Sequence, residues 1–263
     1  MKLQKSIYPS TKDYMIKIYR ICQKAIELCP EQCLRVSKSK GRFYFRVEDV
    51  TSKIRKYLSR KDPQYLLLVK KYCATRILSA MNETTWLSEQ PSQKAFDALD
   101  KICVWLEDRF GDACPNFVCS RRTILREWQE EPYERNPFVI DDLHSFQTAR
   151  GEMVRSKTEN FIADYFYSHH IPYKLEYPVD VGTRNLYPDF IFVNPANGNI
   201  YYLEAFGLMQ DPDYVRKSFL CKIRDYSQVG IILGVNLFAT FESADVPFDT
   251  AGFRRMMERI LAM

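Results

Sequence analysis

No stretch of this 263-residue sequence is apolar over anything near the ~20 residues that a membrane-spanning helix needs. Runs such as Tyr65 to Val69 are far shorter, so no membrane segment is expected. The first residues, MKLQKSIYPSTKDY, lack the apolar stretch of a secretory signal. Glycine is scarce, at nine residues, and proline numbers thirteen, which excludes a collagen-like or low-complexity chain. Eight cysteines are present, but no C-x-x-C pair. Cys29 and Cys33 fall on a helical pattern, and Cys114 and Cys119 are not followed by histidine at finger spacing. Neither a structural zinc site nor a disulfide framework is expected from them. Buried reduced thiols in a soluble, cytoplasmic protein are the reading that remains.

What is present is a composition that can bury a core: 46% hydrophobic, 14% aromatic and 27% charged. The length is comfortable for two domains. The net charge of +5 is unevenly spread. Between Arg35 and Arg76 thirteen Lys or Arg face three acidic residues, while residues 77–263 carry more acidic than basic side chains. A polyanion is the first partner such a segment suggests, with a solvated basic face as the alternative.

Apolar spacing predicts an amphipathic helix over 11–34, interrupted by Pro30. LRVSKSKGRFYFRV then changes period: a Lys-Gly turn joins two alternating stretches, with Phe43, Phe45 and Val47 on one face. That alternation leaves Arg42, Tyr44 and Arg46 on the other. Helices are expected again near 49–59, from Pro63 (capped by Asp62) to about Leu87, and over 91–110 up to Gly111. Proline-punctuated residues 111–149 read as a connection. The expected organisation is a basic, mainly helical region with a small β-hairpin over 1–110, that connection, and an α/β domain of mixed sheet and flanking helices over 150–263. Trp86, Trp105 and Trp128 read as packing residues.

The chemistry is expected in IPYKLEYPVDVGTRNLYPDFIFVNPANGNIYYLEAFG. Phe190–Val193 and Ile200–Phe206 are apolar runs joined by an Asn-Gly-containing turn, and so form a hairpin. If Val193 pairs with Ile200, Asp189 stands directly opposite Glu204, Cβ atoms ~5 Å apart on one face. Two carboxylates in an otherwise apolar sheet need a partner, and a divalent cation is the usual one, the alternative being two solvated side chains on the open face of a hairpin. Glu159 shares a helix face with Ile162 and Phe166. After the hairpin, DPDYVRKSFLCKIRDY reads as a helix capped by Asp211, with Lys222 centred on its inward face and Lys217 almost opposite. His169 and His170 fit a helix end, and Glu242 reads as a strand-end charge.

These positions resemble the PD-(D/E)XK nuclease superfamily, in which a helix Glu, a Pro-Asp at a strand start, a hairpin and a second strand acid follow in that order. Glu159, Pro188-Asp189 and Glu204 stand at the matching places. The resemblance covers residues 150 to 243 most closely and the basic segment more loosely. It implies a restriction-endonuclease-like fold and metal-dependent phosphodiester hydrolysis, DNA being the expected substrate and RNA an alternative. Asp189 and Glu204, supported by Glu159, would bind magnesium or manganese. The superfamily expects Lys two residues after the second acid, where this chain has Phe206; Lys222 would act as a relocated lysine. Related sequences also carry His after that acid, where this chain has Ala205. A nuclease-fold protein that binds nucleic acid without cutting it is therefore the alternative. Arg42, Tyr44, Arg46, Arg155 and Lys157, with Arg150 as a further candidate, are the expected nucleic-acid contacts. A homodimer or an acidic protein partner is compatible with the basic segment.

Overall fold

The computed structural model describes residues 6–9, 12–29, 31–82, 93–136, 145–182 and 184–263. Pro30, Trp86 and the expected end of the helix from Pro63 lie outside them. The chain is mixed α and β, with several small sheets. Contacts divide it into two units, residues 9–124 and residues 6–8 with 125–263.

In the first unit, α1 (Lys12–Glu27) buries Met15, Ile18, Cys22 and Ala25, a spacing of three and four that makes one apolar stripe. The hairpin of β1 (Cys33–Ser39) and β2 (Arg42–Glu48) turns through Lys40 and Gly41, both at positive φ (47° and 78°). Such a two-residue turn matches the strand twist. Phe45, on the inner face of the sheet, packs its ring against Tyr65 and Phe110 at centroid distances of 5.2 and 5.9 Å. The helix expected near 49–59 is absent. The Asp49 carboxylate accepts hydrogen bonds from the N–H groups of Thr51 and Ser52 and from the Ser52 hydroxyl, which closes a turn, and β3 (Arg55–Tyr57) then adds a third strand beside β2. Local side-chain bonding has outcompeted the helix there. Two helices complete this part: α2 (Tyr65–Asn82), entered through an Asp62 cap on the Gln64 N–H, and α3 (Gln93–Phe110), followed by Gly111 at φ 55°.

The expected connection over 111–149 contains a helix, α4 (Arg121–Glu130), and the division between units falls inside it. Ser120 starts this helix by accepting from the Thr123 N–H while its own hydroxyl donates to Glu107. The two units therefore differ from the ranges expected from sequence.

The second unit opens with the short pair β4 (Phe146–Gln147) and β5 (Met153–Val154), then α5 (Lys157–Ser168). Next come β6 (Tyr173–Leu175), the small hairpin β7 (Val179–Asp180) and β8 (Asn185–Leu186), β9 (Phe190–Val193) and β10 (Ile200–Phe206). A helix assembled from α6 (Pro212–Tyr214), a π-helical stretch over Val215–Phe219 and α7 (Leu220–Gln228) leads to β11 (Leu237–Phe241) and to α8 (Thr250–Ala262). Four strands form one sheet in the order β11-β10-β9-β6; β10 runs parallel to β11 and antiparallel to β9. One face packs Phe190, Phe192, Tyr201 and Leu203 against α5 and α8. The other carries Ile191, Val193, Ile200 and Tyr202, with Tyr226 of α7 over it. Burial on both faces explains the nearly continuous apolar strands. Residues 6–8 belong to this unit: Ser6 bridges to Asn199, and the Tyr8 hydroxyl donates to the Pro195 carbonyl. Gly198, at φ 74°, leaves room for that ring, since a Cβ there would meet it at 2.5 Å. Among the described residues no helix is long and apolar enough to cross a membrane.

Candidate functional site

The β9–β10 register pairs Val193 with Ile200 and Phe190 with Leu203, so one step further Asp189 stands opposite Glu204, as the hairpin arithmetic expects. Both carboxylates are buried, at 7% and 1% exposure. Asp189 Oδ2 accepts from the Ala205 N–H at 2.7 Å. Glu204 accepts from the Tyr226 hydroxyl at 2.7 Å on Oε1, and from Lys222 Nζ at 3.1 Å on Oε1 and 2.8 Å on Oε2.

Lys222 arrives as the helical wheel predicts. Asp211 caps the helix on the N–H groups of Asp213 and Tyr214, and Pro212 occupies its first turn. Lys217 points away and pairs with Asp213. The π-helical stretch lies just before α7, and single π turns in helices are frequent at functional sites. Phe206 is core: its ring packs against Phe219 and Phe241, with Lys222 Nζ 5.9 Å from its centroid.

Burial, and then the charge of Asp189, push the Glu204 carboxyl up to about 7. Burial raises Asp189 as well, against the pull of Lys222. For Lys222, burial opposes the charged form, but Glu204 and Asp189 outweigh it and hold the ammonium above its ordinary value. Lys222, and Arg155 at 3.9 Å from Asp189, partly offset the two carboxylates. Carboxylate oxygens are the donors a hard divalent ion takes, so Asp189 and Glu204 are the residues that could hold magnesium or manganese.

The third expected ligand is not brought in. Among the described residues no group of three or more His, Cys, Asp or Glu converges on a common point. Glu159 lies in the first turn of α5, where Ser156 caps its N–H and its Oε2 accepts from the Arg155 N–H at 3.0 Å. It is a helix-starting residue whose carboxyl is raised by burial and then by the charge of Asp189. The Ser-x-x-Glu spacing of a capping box was the readable signal for that role.

Arg155 does reach the acids. Its guanidinium lies 2.7 Å from Glu176 and 3.9 Å from Asp189. Arg150 is instead bound to Glu152 and lies over the Tyr173 ring, while Lys157 is exposed at the start of α5. His169 ends α5 and stacks on Tyr165; Glu242 accepts from the Thr158 hydroxyl. Glu176, Arg135 and Tyr214 were not singled out from sequence. Arg135 and Arg155 both bind Glu176, and the Tyr214 hydroxyl, raised mainly by burial, also feels Lys222, Asp189 and Glu204.

In the other unit, Arg42, Tyr44 and Arg46 share the exposed face of β2, as expected. Arg46 is paired in register with Arg35 on one side and Tyr57 on the other, so both join this face, and Tyr57 is 72% exposed. Arg35 and Arg55 are both held by Glu48. Trp105, also in this unit, is covered by the Arg109 guanidinium at 3.9 Å. Trp128 lies in the second unit, beneath the Lys174 ammonium.

Comparison with family models, curated proteins and solved structures finds no match to this chain.

Proposed function

We propose that this chain is a metal-dependent nuclease of the PD-(D/E)XK type that cuts DNA internally, with RNA as the second candidate substrate. The observation carrying the proposal is the buried pair Asp189 and Glu204, opposed across one hairpin, with the Lys222 amine on Glu204. A small mixed sheet between helices, with the acids at the β9–β10 end, supports a restriction-endonuclease-like fold. Asp189 and Glu204 would hold magnesium or manganese, which when bound polarises a phosphoryl group and acidifies a water. The Ala205 N–H orients Asp189, and the Tyr226 hydroxyl orients Glu204. Lys222, partly open to solvent, carries a protonated amine that can stabilise charge developing on the phosphate. Glu159 supports the site by fixing the start of α5. The basic sheet face of residues 33–57 would bind backbone phosphates.

A second reading, a nuclease fold that binds nucleic acid without cutting, is favoured by one contact: Lys222 occupies both oxygens of Glu204. Incubation of plasmid DNA with the protein, with magnesium or manganese and with chelator, separates the two. Metal-dependent nicking that disappears in Asp189→Ala is the expected result. Cutting that persists in Asp189→Ala would overturn the enzyme reading, and binding without cutting under every divalent metal would establish the second.

A further inference from the structure

Glu176 lies beside the acid pair and cannot itself serve as a free ligand. It is buried, and its Oε2 accepts from Arg135 Nε at 2.7 Å while its Oε1 meets Arg155 Nη2 at 2.7 Å. Its own N–H donates to the Asp189 carbonyl at 3.2 Å. It also sits at φ 47°, a left-handed conformation uncommon for a non-glycine residue and retained only where the surroundings impose it. Arg135 is fixed in turn by a second bond, from Nη2 to the Met153 carbonyl at 2.8 Å.

These contacts hold Arg155 at both ends. Its backbone N–H is bound by Glu159, and its guanidinium is bound by Glu176. At 3.9 Å the Asp189 oxygen is beyond hydrogen-bonding distance, and the Arg155 side chain is 44% exposed. A guanidinium has five N–H donors in a rigid fork, so anchoring one edge on a carboxylate leaves donors facing solvent beside Asp189.

We propose that Arg155 receives the phosphate at the acid pair, and that Glu176, braced by Arg135, is the positioning residue that aims it. The inference rests on the nuclease reading and names the group by which that site would grip its substrate. Arginine suits this task because its fork binds phosphate oxygens in pairs.

The test uses the full chain with calcium in place of magnesium, a DNA oligonucleotide as probe, and parallel cleavage kinetics in magnesium. Arg155→Ala should weaken binding and raise KM by ~10-fold or more with a smaller change in kcat, as loss of a charged hydrogen-bonded contact implies. It should also shallow the plot of log affinity against log salt by about 1. Arg155→Lys should keep the salt slope and recover part of the affinity. Glu176→Gln, nearly the same shape, should raise KM in the same direction while leaving the slope intact. If wild type cuts and Arg155→Ala keeps its KM and salt slope, the phosphate role falls and the nuclease reading stands. If Arg155→Ala does not fold, unchanged KM in both Arg155→Lys and Glu176→Gln has the same consequence. If wild type neither binds nor cuts DNA or RNA with any divalent metal, the nuclease reading falls and takes this role with it.

Discussion

Lys222 donates to both carboxylate oxygens of Glu204, at 2.8 and 3.1 Å, from a helix that follows the strand rather than from the strand itself. The strand position that could have carried the cation, Phe206, is committed to a cluster with Phe219 and Phe241. The helix thus supplies charge while the strand supplies core.

Removing that amine should expose the cost of burying two acids. Breaking a buried ion pair from one side costs ~3–5 kcal/mol, and partial exposure of Lys222 reduces this, so Lys222→Met should lose about 2 kcal/mol at pH 8. At pH 5 the loss should be much smaller, because Glu204, already raised to about 7, is then protonated. Urea denaturation at the two pH values measures both, and an equal loss at each would show that the amine does not act through Glu204.

Glu204 also sets a pH dependence of its own. Folding raises its pKa from 4.5 to about 7, so across that window the native state binds more protons than the unfolded one. Stability from this group therefore falls as pH rises from 4.5 to 7 and is level above it, by ~3 kcal/mol at most. Under the proposed function, a divalent ion held by Asp189 and Glu204 would favour their charged forms. Magnesium or manganese should accordingly raise Tm at pH 8 and have little effect at pH 5. Glu204→Gln should flatten the pH profile and abolish the metal effect; a metal shift that survives this change would place the ion elsewhere.

The site was legible where local rules fix geometry. An Asn-Gly turn and two apolar runs determined the register that opposes Asp189 and Glu204, and the spacing of Val215, Phe219 and Tyr226 marked the helix face on which Lys222 lies. The contacts missed are those with no local signature. Arg135 and Arg155 reach Glu176 across 41 and 21 positions of sequence, and only the fold brings them together. Residues 49–59 misled because their spacing suits a helix while Asp49, Thr51 and Ser52 prefer a side-chain-closed turn. Helix α4 was hidden by its surroundings: it is short, strongly polar apart from Ile124, Leu125 and Trp128, and lies between Pro115 and Pro132.

Glu48 carries the opposite pH sign in the other unit. Hydrogen bonds from Arg35 and then Arg55 hold its carboxyl down at about 2, against an ordinary 4.5. Its contribution is complete above pH 4.5 and is lost as pH falls through 2. Glu48→Gln should make acid unfolding less steep between those values, read by circular dichroism. An unchanged acid limb would mean the two arginines are held by something other than this carboxylate.

The exposed face of that three-stranded sheet supplies the last test. Arg42 and Arg46 lie outward on β2, and Tyr44 and Tyr57 are exposed beside them. Cations release counterions when they meet backbone phosphates, so binding should weaken steeply with salt and depend little on sequence. Replacing Arg42 and Arg46 together by Ala should shallow the salt slope by up to ~2 if each meets one phosphate. Tyr57→Ala should leave the slope unchanged but weaken single-stranded binding by ~1–3 kcal/mol if a base stacks on the ring. The measurement is a salt titration of single- and double-stranded oligonucleotides, with Asp189 replaced by Ala to prevent cutting. Parallel salt lines for wild type and the double arginine variant would mean that these side chains are simply solvated. The basic face would then be better explained by an acidic protein partner than by nucleic acid.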